Sequence, residues 1–392
     1  MAFAEADIAY LERAAELAEL GRGRTSPNPV VGAVIVRGQC VLGEGYHAGL
    51  GQDHAEVAAL RDALRRAGRP AQGGVEQWGS EARAVCQGAT LYVTLEPCCI
   101  YGRTPPCTEA VLAAGFSRVV VGVVDPNPAV NGKGIAMLRA AGVTVDLAEG
   151  PLVNRLKRQN EGARKLFTVG LPLVTYKYAM SLDGRVATDT GESRWLSGPE
   201  SRRLVHQWRA WSDAVVVGAG TAARDDPLLT AREVECLRQP LRVVVDRELR
   251  LSEESGLVRS AGEGPVLAVC GPEVPDDRRE EVESWGVQTA ALPLDRTGHI
   301  DPVAVARFLA SREVLYVLLE GGPTLAGAWW KAGLIDKVAA FVCPLIMSGR
   351  KAMAPLQGEG ALGLADAVNL TEVEVTQVGK DVLVTGYRRG PY

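Results

Sequence analysis

Residues 95–107 read LEPCCIYGRTPPC, and the fold follows from what lies on either side of them. The run ATLYVTL (89–95) that enters this segment is short, apolar and rich in β-favouring residues, which predicts a buried strand. Residues 107–114, which leave it, predict a helix. Cys98 and Cys107 therefore stand near a strand end and at a helix start. Upstream, HAEVAALRDALRRAG (54–68) has helical periodicity and is stopped by Gly68 and Pro70, so His54 and Glu56 open a helix of their own. One imidazole and two thiolates are enough to hold zinc and leave its fourth position open for water, the arrangement of a catalytic site.

Working outward, Ile8, Leu11, Ala15 and Ala18 recur at helical spacing over 7–20, GRGRTSPNP reads as a loop, and VVGAVIV (30–36) as a buried strand. Residues 69–88, rich in Gly, Gln and Ala, read as a surface loop. A strand at 118–124, a helix at 133–141 and the short strand VTVDL complete an alternating α/β domain over residues 1–150. The polar helical stretch that follows reads as a connector, 151–170. The alternation then repeats over 171–392: LPLVTYKYAM (171–180), a helix at 198–211, the strands AVVVG, LRVVVD and PVLAVC, helices at 277–285 and 301–311, and VLYVLLE running into GGPTLAG. The fold class is α/β in both halves.

With 47% hydrophobic and 23% charged residues, the chain has the composition of a folded soluble protein. Its 43 Lys and Arg against 47 Asp and Glu give a net charge of −4, so no basic surplus is present to neutralise a nucleic-acid backbone. Eight cysteines are too sparse for a disulfide scaffold, which points to a reducing, cytoplasmic setting. The acidic N-terminus, with Glu5, Asp7 and Glu12, shows no targeting segment, and no apolar run approaches the ~18 to 20 residues needed to span a bilayer. The expected partner is a small molecule, with neither nucleic acid nor membrane involved, and a homo-oligomer is left open.

Glu56 lies two residues after His54 and is not needed as a ligand. Zinc lowers the pKa of bound water towards about 7, and a neighbouring carboxylate can take a proton from that water and pass it to a leaving amine. His-x-Glu followed by Pro-Cys, here Pro97-Cys98, is the pattern of zinc deaminases. The spacing departs from the short form: eight residues separate Cys98 from Cys107, where the short motif has two. The alternatives are a closed structural site with Cys99 as fourth ligand, or buried free thiols; neither gives Glu56 a reason. Cys40, Cys86, Cys236, Cys270 and Cys343 have no ligand partner at useful spacing and read as small hydrophobes.

LEPCCIYGRTPPC closely resembles the loop of the bifunctional deaminase-reductases of riboflavin biosynthesis, which carry this long spacing. The likeness extends to TSPNPVVGAVIV, GYH, HAE and DPNP in the first half and to SLDGR, GESRWLS, RDDPLLTAR and EGGPTLAG in the second, nearly the whole chain. It implies a cytidine-deaminase-like α/β/α domain followed by a dihydrofolate-reductase-like α/β domain. The first would hydrolyse the exocyclic amine of a diaminopyrimidinone ribosylamine phosphate, with His54, Cys98 and Cys107 on zinc and Glu56 as the catalytic proton carrier. Asn28, His47, Asp125 and Asn127 would hold base and ribose, and Arg103 would meet the phosphate. Where the commoner loop reads Pro-Cys-Ser-His, this chain has Cys99 and Ile100, so the family's contact at this position is lost or rearranged around Tyr101 and Arg103.

The second half lacks a GxGxxG fingerprint. Instead Gly321-Gly322 falls between a buried strand and a helix, where free N–H groups and the helix dipole attract phosphate, although a glycine turn there is common. The resemblance implies NADPH on Gly322, Pro323, Thr324, Leu325, Ala326, Gly327 and Ala328, lined also by Ala179, Trp195, Thr221 and Asp225. Substrate would meet Ser193, Arg209, Leu228, Arg232 and Glu320. Lys177 and Glu320, at strand ends, are candidates to assist proton transfer as hydride reaches the anomeric carbon, and Arg247 is a candidate reader of the extra NADPH phosphate. The expected enzyme is thus a cyclic-amidine hydrolase and an NADP-dependent oxidoreductase in one chain. Competing readings are a reductase with an impaired deaminase domain, prompted by Ile100; a tRNA base-modifying enzyme, which would want a basic face; and a non-enzymatic zinc and nucleotide binding module, which would not need Glu56.

Overall fold

In the computed structural model, which describes residues 5–102, 104–390 and 392, the chain divides into two units, Met1–Val169 with Tyr392 and Gly170–Pro391. The first runs α1 (Glu5–Glu19), β1 (Gly32–Arg37), β2 (Cys40–Tyr46), α2 (Ala55–Arg66), α3 (Val75–Cys86), β3 (Thr90–Leu95), α4 (Cys107–Ala114), β4 (Arg118–Val123), α5 (Lys133–Ala140), β5 (Thr144–Leu147), α6 (Pro151–Gln159) and α7 (Glu161–Val169). Among the described residues its sheet has the order β2-β1-β3-β4-β5, antiparallel at β2-β1-β3 and parallel from β3 to β5. The strands are apolar on both faces because both faces are covered. Ala33, Ile35, Leu91, Val93, Val119 and Val121 pack under α2 to α5, while Val34, Val36, Tyr92 and Val120 meet Leu11, Ala14 and Leu17 of α1.

The surface loop expected over 69–88 is instead largely α3. Val75, Trp78, Ala82 and Cys86 recur at helical spacing inside a Gly, Gln and Ala rich stretch, and that stripe is the face buried in the core. Trp78 is 1% exposed, and its Nε1–H donates to the Gly73 carbonyl at 3.0 Å. Trp78→Ala should therefore cost about 3–5 kcal/mol of the first unit's stability, read by denaturant unfolding; a cost below about 1 kcal/mol would contradict this packing. The stretch read as a connector forms α6 and α7. Leu156 of α6 packs with Ala15, Leu95 and Val123. Asn160, between the two helices, grips the backbone of Val30 with both ends of its amide, each bond 2.8 Å.

The second unit runs β6 (Leu173–Ser181), α8 (Pro199–Trp211), β7 (Ala214–Gly218), α9 (Ala219–Asp225), β8 (Leu241–Val245), α10 (Gly256–Arg259), β9 (Val266–Cys270), α11 (Asp276–Ser284), β10 (Gln288–Ala291), α12 (Pro302–Ser311), β11 (Tyr316–Gly321), α13 (Pro323–Lys331), β12 (Lys337–Cys343), β13 (Thr371–Val378) and β14 (Asp381–Tyr387). Its described strands form one sheet ordered β10-β9-β8-β7-β11-β6-β12-β14-β13, parallel except at β14. Val174, Tyr176, Val216, Val243 and Leu319 face α12 and α13. Alternate residues, among them Val215, Val217, Leu318, Ala339 and Phe341, face the side that carries α8. By the same alternation Lys177 of β6 and Glu320 of β11, on neighbouring strands, point to the α8 side. No helix among the described residues is long and apolar enough to cross a membrane.

Candidate active sites

In the first unit three loops converge on one point. His54 stands at the N-cap of α2, Cys107 is the first residue of α4, and Cys98 follows β3. The His54 Nδ1 lies 3.2 Å from Cys107 Sγ and 3.5 Å from Cys98 Sγ, and the three ligand atoms fall within 4.8 Å of one another. Ligand bonds of about 2.1 and 2.3 Å at tetrahedral angles require N···S separations of roughly 3.6 Å, so this donor set fits zinc. The far side of the ring, Nε2, faces Thr104 Oγ1 at 3.3 Å, an outer partner that fixes which nitrogen points inward. The backbone N–H of Cys107 donates to Cys98 Sγ at 3.3 Å. Hydrogen bonding from the Cys107 thiol holds Cys98 well below the usual thiol range, helped by His54, and the same bond pushes Cys107 up.

Glu56, in the first turn of α2, is 3% exposed, and burial with the charge of Cys98 nearby pushes its carboxyl up to about 7. A carboxyl poised there can both accept and return a proton near neutrality. His47 is 2% exposed and packs edge-on against His54, with ring centroids 5.1 Å apart. Its Nδ1 meets the Asp53 carbonyl at 3.0 Å, which can only accept, so the proton is on Nδ1 and Nε2 accepts from Asn28 Nδ2 at 3.1 Å. Burial lowers the His47 pKa, in keeping with this neutral tautomer. Asp125 accepts from the Asn127 amide at 2.8 Å, Asn127 Oδ1 accepts from the Ala129 amide at 3.0 Å, and burial pushes the Asp125 carboxyl up to about 6. Cys99 and Ile100 are partly exposed, and Tyr101 donates to Glu109 at 2.6 Å. Arg103 lies outside the described residues. Sequence patterning assigns no role to Glu96, yet its buried carboxylate accepts from the amides of Asp125, Gly132 and Ile135 at 3.2, 2.9 and 3.1 Å. The one signal in the sequence is a lone acid directly before Pro97 and a metal-type cysteine.

In the second unit Arg209 of α8 grips Glu320 with both arms, Nε to Oε1 at 2.5 Å and Nη2 to Oε2 at 2.9 Å. Burial alone would raise the Glu320 carboxyl, but Arg209 outweighs it and the pKa falls. Beside the pair, burial lowers the Lys177 ammonium while the Glu320 charge works to hold it up. Arg209 also donates to the Thr230 carbonyl at 3.1 Å, and Arg232 Nη1 donates to Thr230 Oγ1 at 2.7 Å. His206, one turn before Arg209 on α8, has Nδ1 at 3.1 Å from the Thr230 carbonyl and 3.2 Å from the Arg232 amide. Neither His206 nor Thr230 stands out in the sequence; the i, i+3 spacing of His206 and Arg209 is the available signal. Leu228, whose carbonyl accepts from buried Arg242 at 3.2 Å, opens a loop in which Leu229 holds φ at 55°.

Of the residues expected to meet the nucleotide, Gly322 and Thr221 are brought side by side. Gly322 caps α13, and a Cβ there would sit 2.9 Å from Thr221 Oγ1. The amides of Thr324 and Leu325 have no intrahelical acceptor, Pro323 has none to offer, the Ala326 amide is bonded to Gly322, and Gly327 lies against the Gln357 backbone. Ala328 lies further along the same helix. Ser193 donates to Asp225 at 3.1 Å. Trp195 is 70% exposed, with the Arg202 guanidinium 4.9 Å and that of Arg194 5.6 Å from its ring. Ala179 lies two residues beyond Lys177, on the same sheet face. Arg247 is already engaged with Glu273 at 2.7 Å and the Gly298 carbonyl at 2.6 Å.

Residues 4–123 match the cytidine and deoxycytidylate deaminase zinc-binding region, and residues 172–384 match the RibD C-terminal domain. Riboflavin biosynthesis protein RibD of Escherichia coli is 38% identical over 388 residues, covering 96% of this chain and 98% of that one. The chain belongs to the RibD family. RibD of Bacillus amyloliquefaciens is 36% identical and covers 96% of this chain and 95% of its own. Acinetobacter baumannii RibD superimposes with a TM-score of 0.83 at 35% identity, covering 97% of this chain and 98% of that one. The Thermotoga maritima diaminohydroxyphosphoribosylaminopyrimidine deaminase/5-amino-6-(5-phosphoribosylamino)uracil reductase does so with 0.79 at 31% identity, covering 98% and 99%. The RibD family pairs a zinc-binding deaminase domain with a reductase domain, and both are present here. An impaired first domain is not favoured.

Proposed function

We propose that the chain catalyses two consecutive steps on one pyrimidine ribosyl phosphate. The first is hydrolytic deamination of 2,5-diamino-6-ribosylamino-4(3H)-pyrimidinone 5′-phosphate; the second is NADPH-dependent reduction of the ribosyl chain of 5-amino-6-(5-phosphoribosylamino)uracil to ribityl. The observation that carries the reading is the convergence of His54, Cys98 and Cys107 with the buried carboxyl of Glu56 beside them. Zinc held by these three residues would make a water nucleophilic near neutral pH. Glu56 takes a proton from that water as its oxygen bonds to the ring carbon bearing the amine, and returns it to the nitrogen as the C–N bond breaks and ammonia leaves. His47 and Asn28, locked in one tautomer and one amide orientation, present fixed groups to the base, and Asp125 and Asn127 lie ready for the ribose.

In the second unit NADPH would supply hydride to the anomeric carbon. For that carbon to accept hydride the ring C–O bond must first give way, the nitrogen lone pair forming a C=N bond that the hydride reduces, and the departing ring oxygen must gain a proton, for which Lys177, beside the Glu320 charge, is the candidate donor. Arg209 and Arg232 supply cationic contacts for the substrate side, and Thr221, Gly322, Thr324 and Leu325 offer the cofactor phosphates a hydroxyl and free amides. A reduced cytoplasmic setting suits the free thiols. Chelation tests the division of labour: removing the metal should abolish ammonia release and leave NADPH-dependent reduction of the deaminated uracil unchanged. Loss of both activities, or of neither, would contradict it.

A further inference from the structure

We infer that Glu96 is a positioning residue for the deamination, its buried carboxylate holding residues 125–135, and with them Asp125 and Asn127, in register with Cys98. The N-cap of α5 is Gly132, with φ 78° and no side chain to satisfy the first amides of the helix. Glu96 supplies the missing cap from another segment: Oε2 takes the Gly132 amide and Oε1 the Ile135 amide, and its negative charge suits the helix N-terminus. The same Oε2 takes the amide of Asp125, so one carboxylate fixes both ends of the turn that contains Asn127. The segment is held close as well as bonded. A Cβ at Gly134 would collide with the Pro97 carbonyl and lie 3.3 Å from Glu96 Oε1, so α5 sits directly against the residue before Cys98. A single residue, Pro97, separates the three-amide clamp from a metal ligand, and any slack in the clamp moves Asp125 and Asn127 relative to the metal site. Buried charged hydrogen bonds are among the stronger ones, and Gln can offer only one acceptor oxygen while turning an N–H toward the remaining amides.

The inference rests on the proposed roles of Asp125 and Asn127 as substrate contacts. The test compares full-length, zinc-loaded wild type with Glu96→Gln and Glu96→Asp. It reads zinc content, KM and kcat for ammonia release from the diaminopyrimidinone ribosylamine phosphate, reductase turnover as a folding control, and amide hydrogen exchange over 123–140. Glu96→Gln should retain zinc and reductase turnover, raise KM by about tenfold or more while kcat changes by less than about threefold, and speed exchange at Gly132 and Ile135 by about tenfold or more. Glu96→Asp, which keeps the charge on a shorter arm, should recover part of the KM. An unchanged KM in zinc-replete Glu96→Gln, or exchange like that of wild type, would overturn the inference. If Glu96→Gln also loses reductase turnover, the same comparison is read on Glu96→Asp. Absence of ammonia from wild type would instead defeat the deaminase reading, while the exchange comparison would still judge the clamp.

Discussion

Glu56→Gln is expected to lower the deamination kcat by about 10²–10⁴-fold while zinc content and reductase turnover stay at wild-type values. The carboxyl is 3% exposed and is kept near neutrality in pKa by burial first and by the Cys98 charge second, so it can pick up and release a proton within one turnover. Glutamine keeps the volume and one acceptor oxygen but can do neither. Because the three ligand atoms come from His54, Cys98 and Cys107, the metal should remain. That separates this variant from Cys107→Ser, in which loss of metal and loss of activity would coincide. Metal analysis together with ammonia release decides the matter. Full activity in zinc-replete Glu56→Gln would remove the residue from the chemistry.

The second large effect is expected at Glu320. Its side chain is 7% exposed and its partner Arg209 13%, so the pair is buried, bidentate and poorly screened. Glu320→Gln leaves the Arg209 guanidinium without its counter-charge and removes the charge that works against the burial-lowered pKa of Lys177. Breaking such a pair from one side costs about 3–5 kcal/mol, and reductase kcat/KM should fall by about 100-fold or more while ammonia release is unaffected. Because the Glu320 carboxyl is held below its ordinary value in the folded chain, the stabilisation is complete above about pH 4.5 and is lost only as pH falls through the lower folded value. The effect of the substitution should therefore be flat across neutral pH. Lys177→Met should lower the reduction rate by a comparable factor through loss of the proton donor. Full turnover in both variants would refute the assignment.

Residues that carry strong chemistry at fixed spacing are legible in the sequence alone. His54, Cys98 and Cys107 stand out because metal ligands are rare residue types on predictable elements, and the apolar strands are equally plain because both sheet faces are covered. The helix α3 is hidden because its buried stripe, Val75, Trp78, Ala82 and Cys86, is diluted by residues that favour loops. Glu96 and Asp381 are hidden for a different reason: each acts on a helix remote in sequence. Asp381 accepts from the Gly198 amide at 2.7 Å and from Ser201 at 2.6 Å, capping α8 across 180 residues of chain, much as Glu96 caps α5. Both helices begin at glycine, which has no side chain to cap its own helix. His206 is silent because one histidine on a polar helix face has no meaning until Thr230 is folded against it.

The most direct test of the two-step mechanism follows both products at once: full-length, zinc-loaded protein is given the diaminopyrimidinone ribosylamine phosphate with NADPH, and ammonia and NADPH are recorded together in wild type and in Glu56→Gln. Wild type is predicted to release ammonia before NADPH is consumed, and Glu56→Gln to do neither with this substrate yet oxidise NADPH normally when supplied with the deaminated uracil. NADPH consumption by Glu56→Gln on the diaminopyrimidinone would contradict the mechanism.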